Sequence, residues 1–427
     1  MSAEPLYETA EIRERAVLVG IELPRDEWPL EESMKELESL VSTAGAETVG
    51  SISQKLDKPN PRTLIGKGKV EELAHLVAAL HADLVVFDTE LSPSQQSRLE
   101  SEIKNVKIID RTALILDIFA LHATTREGRL QVRLAQNHYL LPRLRGMWAH
   151  LAGHRMGGGV GSRFGEGESQ LEVDRRMVRR RIESLTTELA KVETERATQR
   201  KSRASSGVFR LALAGYTNAG KSSVLNCLTN ADVLAAGKLF ATLDSTTRRL
   251  TLPDGREMTI TDTVGFIQKL PHTLVESFKS TLDEVREADL ILHIVDAAAD
   301  QYEAHIAAVL EVLETVGAHT VPQLLVLNKA DLLSPERGQA LLKRHPGAVL
   351  FSALEKSGIE ELYTAIIKHA DAASVLLRVL IPFDKGALVQ LAHEQATILS
   401  EDYSEGGTHL ELRVAKELAP RFAAYEC

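Results

Sequence analysis

"GYTNAGKS", Gly215 to Ser222, follows the apolar run "LALA" and opens a helical pattern. Eight residues of this type between a strand and a helix form a phosphate-binding loop. Its glycines let backbone N–H groups wrap an anion, while the following helix directs its positive end at the same point. Gly215, Tyr216, Thr217, Asn218, Ala219 and Gly220 then make the cradle. Lys221 is expected to bridge β- and γ-phosphates, with the Ser222 hydroxyl a ligand of Mg2+. A loop of this kind calls for an α/β fold with a doubly wound sheet, so strands and helices should alternate around it.

They do so from Val208 onward. "VFRLALA", "MTITD", "LILHIVDA", "PQLLVLNK" and "AVLFSAL" read as strands, with helical patterns between most of them. Residues 208–372 have the size of one nucleotide-binding domain. Three further motifs stand at its strand ends, where a doubly wound fold puts its ligand loops. In "DTVGF", Asp262 is placed to hold Mg2+ through a water and Gly265 to offer an N–H to a γ-phosphate, with Thr263 and Val264 between them. In "NKAD", the Asp331 carboxylate suits guanine, whose N1–H and N2–H₂ are adjacent donors; adenine would leave it unpaired. Asn328 should tie this loop to the phosphate loop, Lys329 should pack its stem on the base, and Ala330 lies between them. "SAL", Ser352, Ala353 and Leu354, supplies backbone contact to the guanine oxygen. Together the motifs specify a guanine nucleotide, with GTP as substrate and GDP as product.

Phe266 departs from the Ras-like pattern, where a glutamine after the Asp-x-x-Gly glycine orients the attacking water. A phenylalanine cannot do that. A threonine that meets Mg2+ only in the GTP state is also required, and "FATLDSTTR" offers Thr242, Thr246 and Thr247. Spacing alone does not choose among them.

The remaining chain is read as three further parts. In residues 1–124, "AVLVGI", "DLVVF" and "VKII" alternate with helical segments, the pattern of an N-terminal α/β domain. Residues 125–207 are expected to form a helical hairpin: an arginine-rich stretch, the glycine cluster "GGGVGSRFGEGE", a long helix and the linker "RKSRASSG". In that helix Leu171, Val178, Ile182, Leu185, Leu189 and Val192 step by sevens, fours and threes, as in a coiled-coil seam. Residues 373–427 read as a small C-terminal α/β domain with "LLRVLIP", "GALVQLAHEQA" and "THLELRV".

Composition narrows the function further. The 427-residue chain carries a net charge of −10, which argues against wholesale coating of nucleic acid. Thr125 to Arg163 is opposite in sign: seven arginines (126, 129, 133, 143, 145, 155 and 163) face one acid, Glu127, a balance of +6. Arginine forks phosphate and glycines admit RNA backbone, so the segment reads either as an RNA surface or as a solvated helical face with a flexible connector, and composition does not choose between them. "RRMVRRR", Arg175 to Arg181, reads either as an extension of such a surface or as partners for neighbouring glutamates. No run approaches the length of a membrane span and the N-terminus is acidic and polar, so no stable membrane insertion and a cytoplasmic location are expected. Cys227 and Cys427 form neither a disulfide framework nor a metal site.

"LIGKGKVEEL", "ELSPSQQ", "LQVRLAQ", "GGGVG" with "GEGESQLEVDRR", "GYTNAGKS", "FATLD" and "DTVGF" together resemble the HflX family of ribosome-associated GTPases. The resemblance runs from about Ala16 through the GTPase domain. It implies that "FATLD", Phe240, Ala241, Thr242, Leu243 and Asp244, is the switch motif and that Thr242 is the Mg2+ threonine. It also implies a hydrophobic residue at position 266 and binding to the large ribosomal subunit and its rRNA, with a role in splitting or rescuing stalled or stress-arrested ribosomes. Ser223-Val224 departs from the usual threonine or serine followed by leucine, a matter of helix packing. A chain without a glutamine in cis should hydrolyse GTP slowly alone and faster on the ribosome, acting as a monomer. Two rival classes are a regulatory switch without a ribosomal role and an RNA-remodelling protein with a second nucleotide in its N-terminal domain. For the latter, "GKGK", Gly66 to Lys69, lacks phosphate-loop spacing.

Overall fold

The structure is a computed structural model describing residues 13–24, 28–153, 164–204, 208–229, 239–240, 242–269, 279–416 and 418–427. The chain forms two compact units: Met1–His122 with Arg129–Thr186, and Ala123–Gly128 with Thr187–Cys427.

In the first unit four parallel strands, β1 (Arg15–Glu22), β2 (Glu47–Lys55), β3 (Leu84–Phe87) and β4 (Lys107–Asp110), lie in the order β2-β1-β3-β4. The helices α1 (Leu30–Thr43), α2 (Lys67–Leu80), α3 (Pro93–Glu102) and α4 (Arg111–His122) alternate with them. Central β3 is buried along its whole length, which is why it reads as an unbroken apolar run. Edge strand β2, "ETVGSISQK", is half exposed, and its polar, glycine-containing sequence hides it from an apolar-run search. "ELSPSQQ" proves to be a helix start. Ser92 and Gln95 form a reciprocal capping box with Pro93 in the first turn of α3.

Two long helices follow, α5 (Arg126–Gly153) and α6 (Phe164–Ala204). Within α6, Leu185 and Leu189 are buried and Val178, Ile182 and Val192 half-buried, while the Leu171 side chain lies outside the described residues. Helix α6 runs through "RKSRA", so the expected linker is helical in its first five residues; the long run of good helix formers carries it on. "GGGVG" lies outside the described residues.

The second unit contains a six-stranded sheet made of β5 (Phe209–Gly215), β6 (Thr246–Thr251), β7 (Glu257–Asp262), β8 (Leu290–Asp296), β9 (Gln323–Asn328) and β10 (Val349–Leu350). Its order is β10-β9-β8-β5-β7-β6, parallel except for β6, which runs antiparallel to β7 at the edge. Helix α7 (Lys221–Thr229) follows β5. Leu211, Leu213, Ile260, Leu292, Ile294 and Val326 fill the core, and the strand order reverses at β5, the place where such folds bind ligands. A three-stranded antiparallel sheet closes the chain: β11 (Ser374–Ile381), β12 (Ala396–Ser404) and β13 (Gly407–Ala415), in the order β11-β13-β12. The helix Gly386–Gln395 accompanies it. No helix among the described residues is long and apolar enough to cross a membrane.

Candidate functional site

The phosphate-loop sequence closes on itself through contacts that need glycine. A Cβ on Gly215 would stand 2.3 Å from the Ile294 carbonyl oxygen, and one on Gly220 would stand 2.2 Å from Asn328 Nδ2. Asn218 and Gly220 have left-handed backbones, φ 60° and 95°, which curl the loop over the start of α7. Lys221 is buried at that start, and its Nζ donates to the carbonyls of Gly215 at 3.0 Å and Tyr216 at 2.9 Å. Burial brings the ammonium down to about 8, against the opposing pull of the Asp262 carboxylate.

Beside the lysine, three hard oxygens converge. Ser222 Oγ lies 2.8 Å from Thr242 Oγ1 and donates to Asp262 Oδ2 at 2.7 Å. Asp262 is fully buried; burial pushes its carboxyl up, opposed by Lys221 and by hydrogen bonds from Ser222, Thr242 and the Thr263 N–H. Its other oxygen, Oδ1, has no hydrogen-bond partner among the described residues. Spacing alone left Thr242, Thr246 and Thr247 open, the family resemblance implied Thr242, and the structure puts the three in different surroundings. Thr246 and Thr247 begin β6, paired with Asp262 and Thr261, and the Thr247 hydroxyl meets the Thr261 hydroxyl at 2.9 Å. Thr242 is the one beside Ser222.

Phe266 is buried, and its backbone is stitched to the phosphate loop. Its N–H donates to the Gly215 carbonyl at 3.1 Å, and its carbonyl accepts from the Thr217 N–H at 2.7 Å, a parallel bridge beside Tyr216. The Tyr216 hydroxyl accepts from the Gln268 N–H at 2.8 Å and its ring stacks on His305 at 4.1 Å. Thr263 Oγ1 donates to the Leu213 carbonyl at 2.6 Å, and Val264 is buried, so both side chains serve the fold. A Cβ on Gly265 would lie 3.0 Å from Lys221 Nζ; glycine keeps this face clear.

Asn328 joins the end of β9 to the Gly215–Gly220 loop and to the segment after β10. Its Nδ2 donates to the Ala219 carbonyl at 2.8 Å, and its Oδ1 accepts from the Ala353 N–H at 3.2 Å. Lys329 has φ 63° and pairs with Asp296 at 2.6 Å, and the Ala330 N–H donates to the Phe351 carbonyl at 3.0 Å. Asp331 Oδ1 accepts from the Ser352 hydroxyl at 2.5 Å, while Leu354 is exposed. Within "FATLD", Phe240 and Leu243 are buried and Ala241 lies outside the described residues.

Comparison with known proteins settles the family. Three family models match in sequence order: "GTP-binding GTPase N-terminal" over residues 31–120, "GTP-binding GTPase Middle Region" over 122–203 and "50S ribosome-binding GTPase" over 210–329. The GTPase HflX of Alkalihalophilus pseudofirmus is 45% identical over 92% of this chain and 91% of its own. The GTPase HflX of Caldanaerobacter subterraneus subsp. tengcongensis is 44% identical over 97% of this chain and 94% of its own. The chain belongs to the HflX family. A crystal structure of a GTP-binding protein from Sulfolobus solfataricus in complex with GDP is 22% identical, covering 83% of this chain and 98% of that one at a TM-score of 0.45.

As an HflX-family member carrying a GTPase domain, the chain is a GTP hydrolase. Two features of this HflX chain escape a motif search. The Asp244 carboxylate accepts hydrogen bonds from Thr124 and Thr125, 120 and 119 positions upstream. Burial opposes its ionisation, but those hydrogen bonds outweigh it and hold the carboxyl below its ordinary range. The only local signal was a Thr-x-x-Gly at a helix start.

The second feature corrects an expectation. Arg143, counted among the RNA-facing arginines, is buried. Its guanidinium pairs with buried Asp110 at 3.1 Å, donates to the carbonyls of Leu91 at 2.7 Å and Tyr139 at 3.0 Å and to Gln96 Oε1 at 3.0 Å, and lies over the Tyr139 ring. It is part of the fold of the first unit, because a buried carboxylate needs a partner. Arg126, Arg129 and Arg133 are exposed, whereas the Arg145 side chain, Arg155 and Arg163 lie outside the described residues.

Proposed function

We propose that this HflX-family GTPase binds GTP with Mg2+ at the site described and acts on the large ribosomal subunit, splitting or rescuing stalled ribosomes. The observation that carries the nucleotide reading is the meeting of Ser222, Thr242 and Asp262 beside Lys221. Hydroxyl and carboxylate oxygens are the donors a hard cation takes, and the unpartnered Asp262 Oδ1 leaves capacity for a metal-bound water. Ser222 and Thr242 would hold Mg2+ directly and Asp262 through that water. The ion supplies charge neutralisation to the transferring γ-phosphoryl when bound.

The residues of the chain do the rest. Lys221 bridges the β- and γ-phosphates, the N–H of Gly265 turns to the γ-phosphate, and the loop Gly215 to Gly220 cradles the anion. Asp331 accepts from guanine N1–H and N2–H₂, Lys329 packs along the base, and the "SAL" segment meets its carbonyl oxygen. Because the Phe266 side chain is committed to the core, the attacking water is ordered by the partner. A trans-acting group contributes about 10³–10⁵ in rate in related systems.

The ribosomal part rests on the match to the "50S ribosome-binding GTPase" model and on the exposed arginines of α5. We assign residues 1–124 to an N-terminal α/β domain, 125–207 to the helical hairpin and linker that face rRNA, 208–372 to the GTPase domain and 373–427 to a small C-terminal domain. The deciding experiment is GTP turnover with and without purified large subunits. Stimulation of tenfold or more is expected; turnover indifferent to the subunit would make the protein a switch of another kind.

A further inference from the structure

The segment that carries Thr242 is held on either side of buried Leu243. On one side Thr242 meets Ser222; on the other, two residues on, stands Asp244. Asp244 Oδ2 accepts from the Thr124 N–H at 2.8 Å, the Thr124 hydroxyl at 2.7 Å and the Thr125 N–H at 2.8 Å, while Oδ1 accepts from the Thr125 hydroxyl at 2.5 Å. Thr125 is also the residue before α5, and its Oγ1 accepts from the Gly128 N–H at 2.9 Å. One hydroxyl therefore caps the helix and, through its proton, holds the carboxylate. Gly128 makes room for the arrangement, since a Cβ there would stand 2.2 Å from Asp244 Oδ1. A carboxylate at a helix start is also favoured by the positive end of the helix.

Two residues span at most about 7 Å, so a displacement at Asp244 carries over to Thr242. We propose that Thr124, Thr125 and Gly128 are positioning residues for GTP hydrolysis: through Asp244 they hold Thr242 at the metal, so that the GTP-competent switch and the capped start of α5 form and dissolve together. This rests on the reading of Thr242 as a Mg2+ ligand. The positioning residues lie in the span of the middle-region family model, outside the 210–329 span of the GTPase model. By linkage, whatever moves the start of α5 changes the preference for GTP over GDP, and nucleotide exchange changes the start of α5.

The test uses the full chain with Thr125→Val, Gly128→Ala, Thr125→Ser and Thr242→Ala. Each is measured for single-turnover GTP hydrolysis and for affinity towards GDP and a non-hydrolysable GTP analogue. Thr125→Val removes both hydrogen bonds of the hydroxyl, and Gly128→Ala displaces Asp244 while favouring helix. Both are expected to lower the rate and the preference for the GTP analogue by about tenfold, the scale of one lost charge-assisted hydrogen bond. GDP affinity should stay within about twofold, and Thr125→Ser, which keeps the hydroxyl, should match wild type. Wild-type rates in Thr125→Val and Gly128→Ala, with Thr242→Ala defective, overturn the positioning role alone. A wild-type Thr242→Ala overturns the metal reading beneath it, and loss of GDP affinity in step with the rate assigns these residues to the fold instead.

Discussion

Asn328 Nδ2 and the Ala219 carbonyl, 109 positions apart, meet at 2.8 Å inside the protein. The same side chain accepts from the Ala353 N–H, so one amide holds the phosphate loop and the loop after β10 in register. Asn328→Asp puts an acceptor where Ala219 needs a donor. Leaving a buried carbonyl unpaired costs about 1–3 kcal/mol. GDP and GTP affinities should therefore fall together, by roughly five- to 150-fold, in an equilibrium titration with a fluorescent nucleotide. A loss confined to GTP would place Asn328 in the switch.

Asp331 presents an acceptor whose orientation is set by the Ser352 hydroxyl. Asp331→Asn replaces one acceptor by a donor, which faces the N–H donors of guanine and suits the extra carbonyl of xanthine. Competition between GTP and XTP should shift towards XTP by about tenfold or more. Unchanged preference for GTP would move base recognition elsewhere.

His293 is buried on β8 with Nε2 unpartnered among the described residues, and burial, with Lys221 nearby, brings its pKa from 6.5 to about 4. Between those values the unfolded chain takes up a proton that the folded chain refuses. The contribution of neutral His293 is therefore complete above pH 6.5, declines as pH falls and is gone below about pH 4. The whole window corresponds to about 3 kcal/mol. His293→Leu should remove this part of the acid sensitivity, so that its stability relative to wild type rises from pH 7 to pH 5 in urea unfolding. A pH-independent difference between the two proteins would contradict the assignment.

Arg143→Ala should destabilise the first unit rather than weaken RNA contact, because it removes the cation paired with buried Asp110 and leaves the carboxylate, among the described residues, only the Leu91 and Ala113 N–H groups and the Tyr139 hydroxyl. Breaking such a pair costs about 3–5 kcal/mol. Arg129→Ala and Arg133→Ala, at exposed positions, should change stability by less than about 0.5 kcal/mol. Thermal unfolding of the three variants checks the contrast, and equal melting temperatures would refute it.

Much of the candidate site was legible in its motifs because its pattern is local. "GYTNAGKS", "DTVGF", "NKAD" and "SAL" each pair a backbone shape with its functional side chain inside a few residues, and buried parallel strands announce themselves as apolar runs. Edge strands β2, β6 and β12 were not legible, because a half-exposed strand mixes polar residues among apolar ones. Spacing left Thr242, Thr246 and Thr247 open; that β6 takes the latter two into its ladder is visible only in the fold. Arg143 looked like its exposed neighbours until the packing brought Asp110, 33 positions away, against it. The grip of Thr124 and Thr125 on Asp244 had no counterpart in the linear pattern. Spacing and periodicity report what neighbours along the chain do; a hydrogen bond closed across 120 residues exists only once the chain has folded.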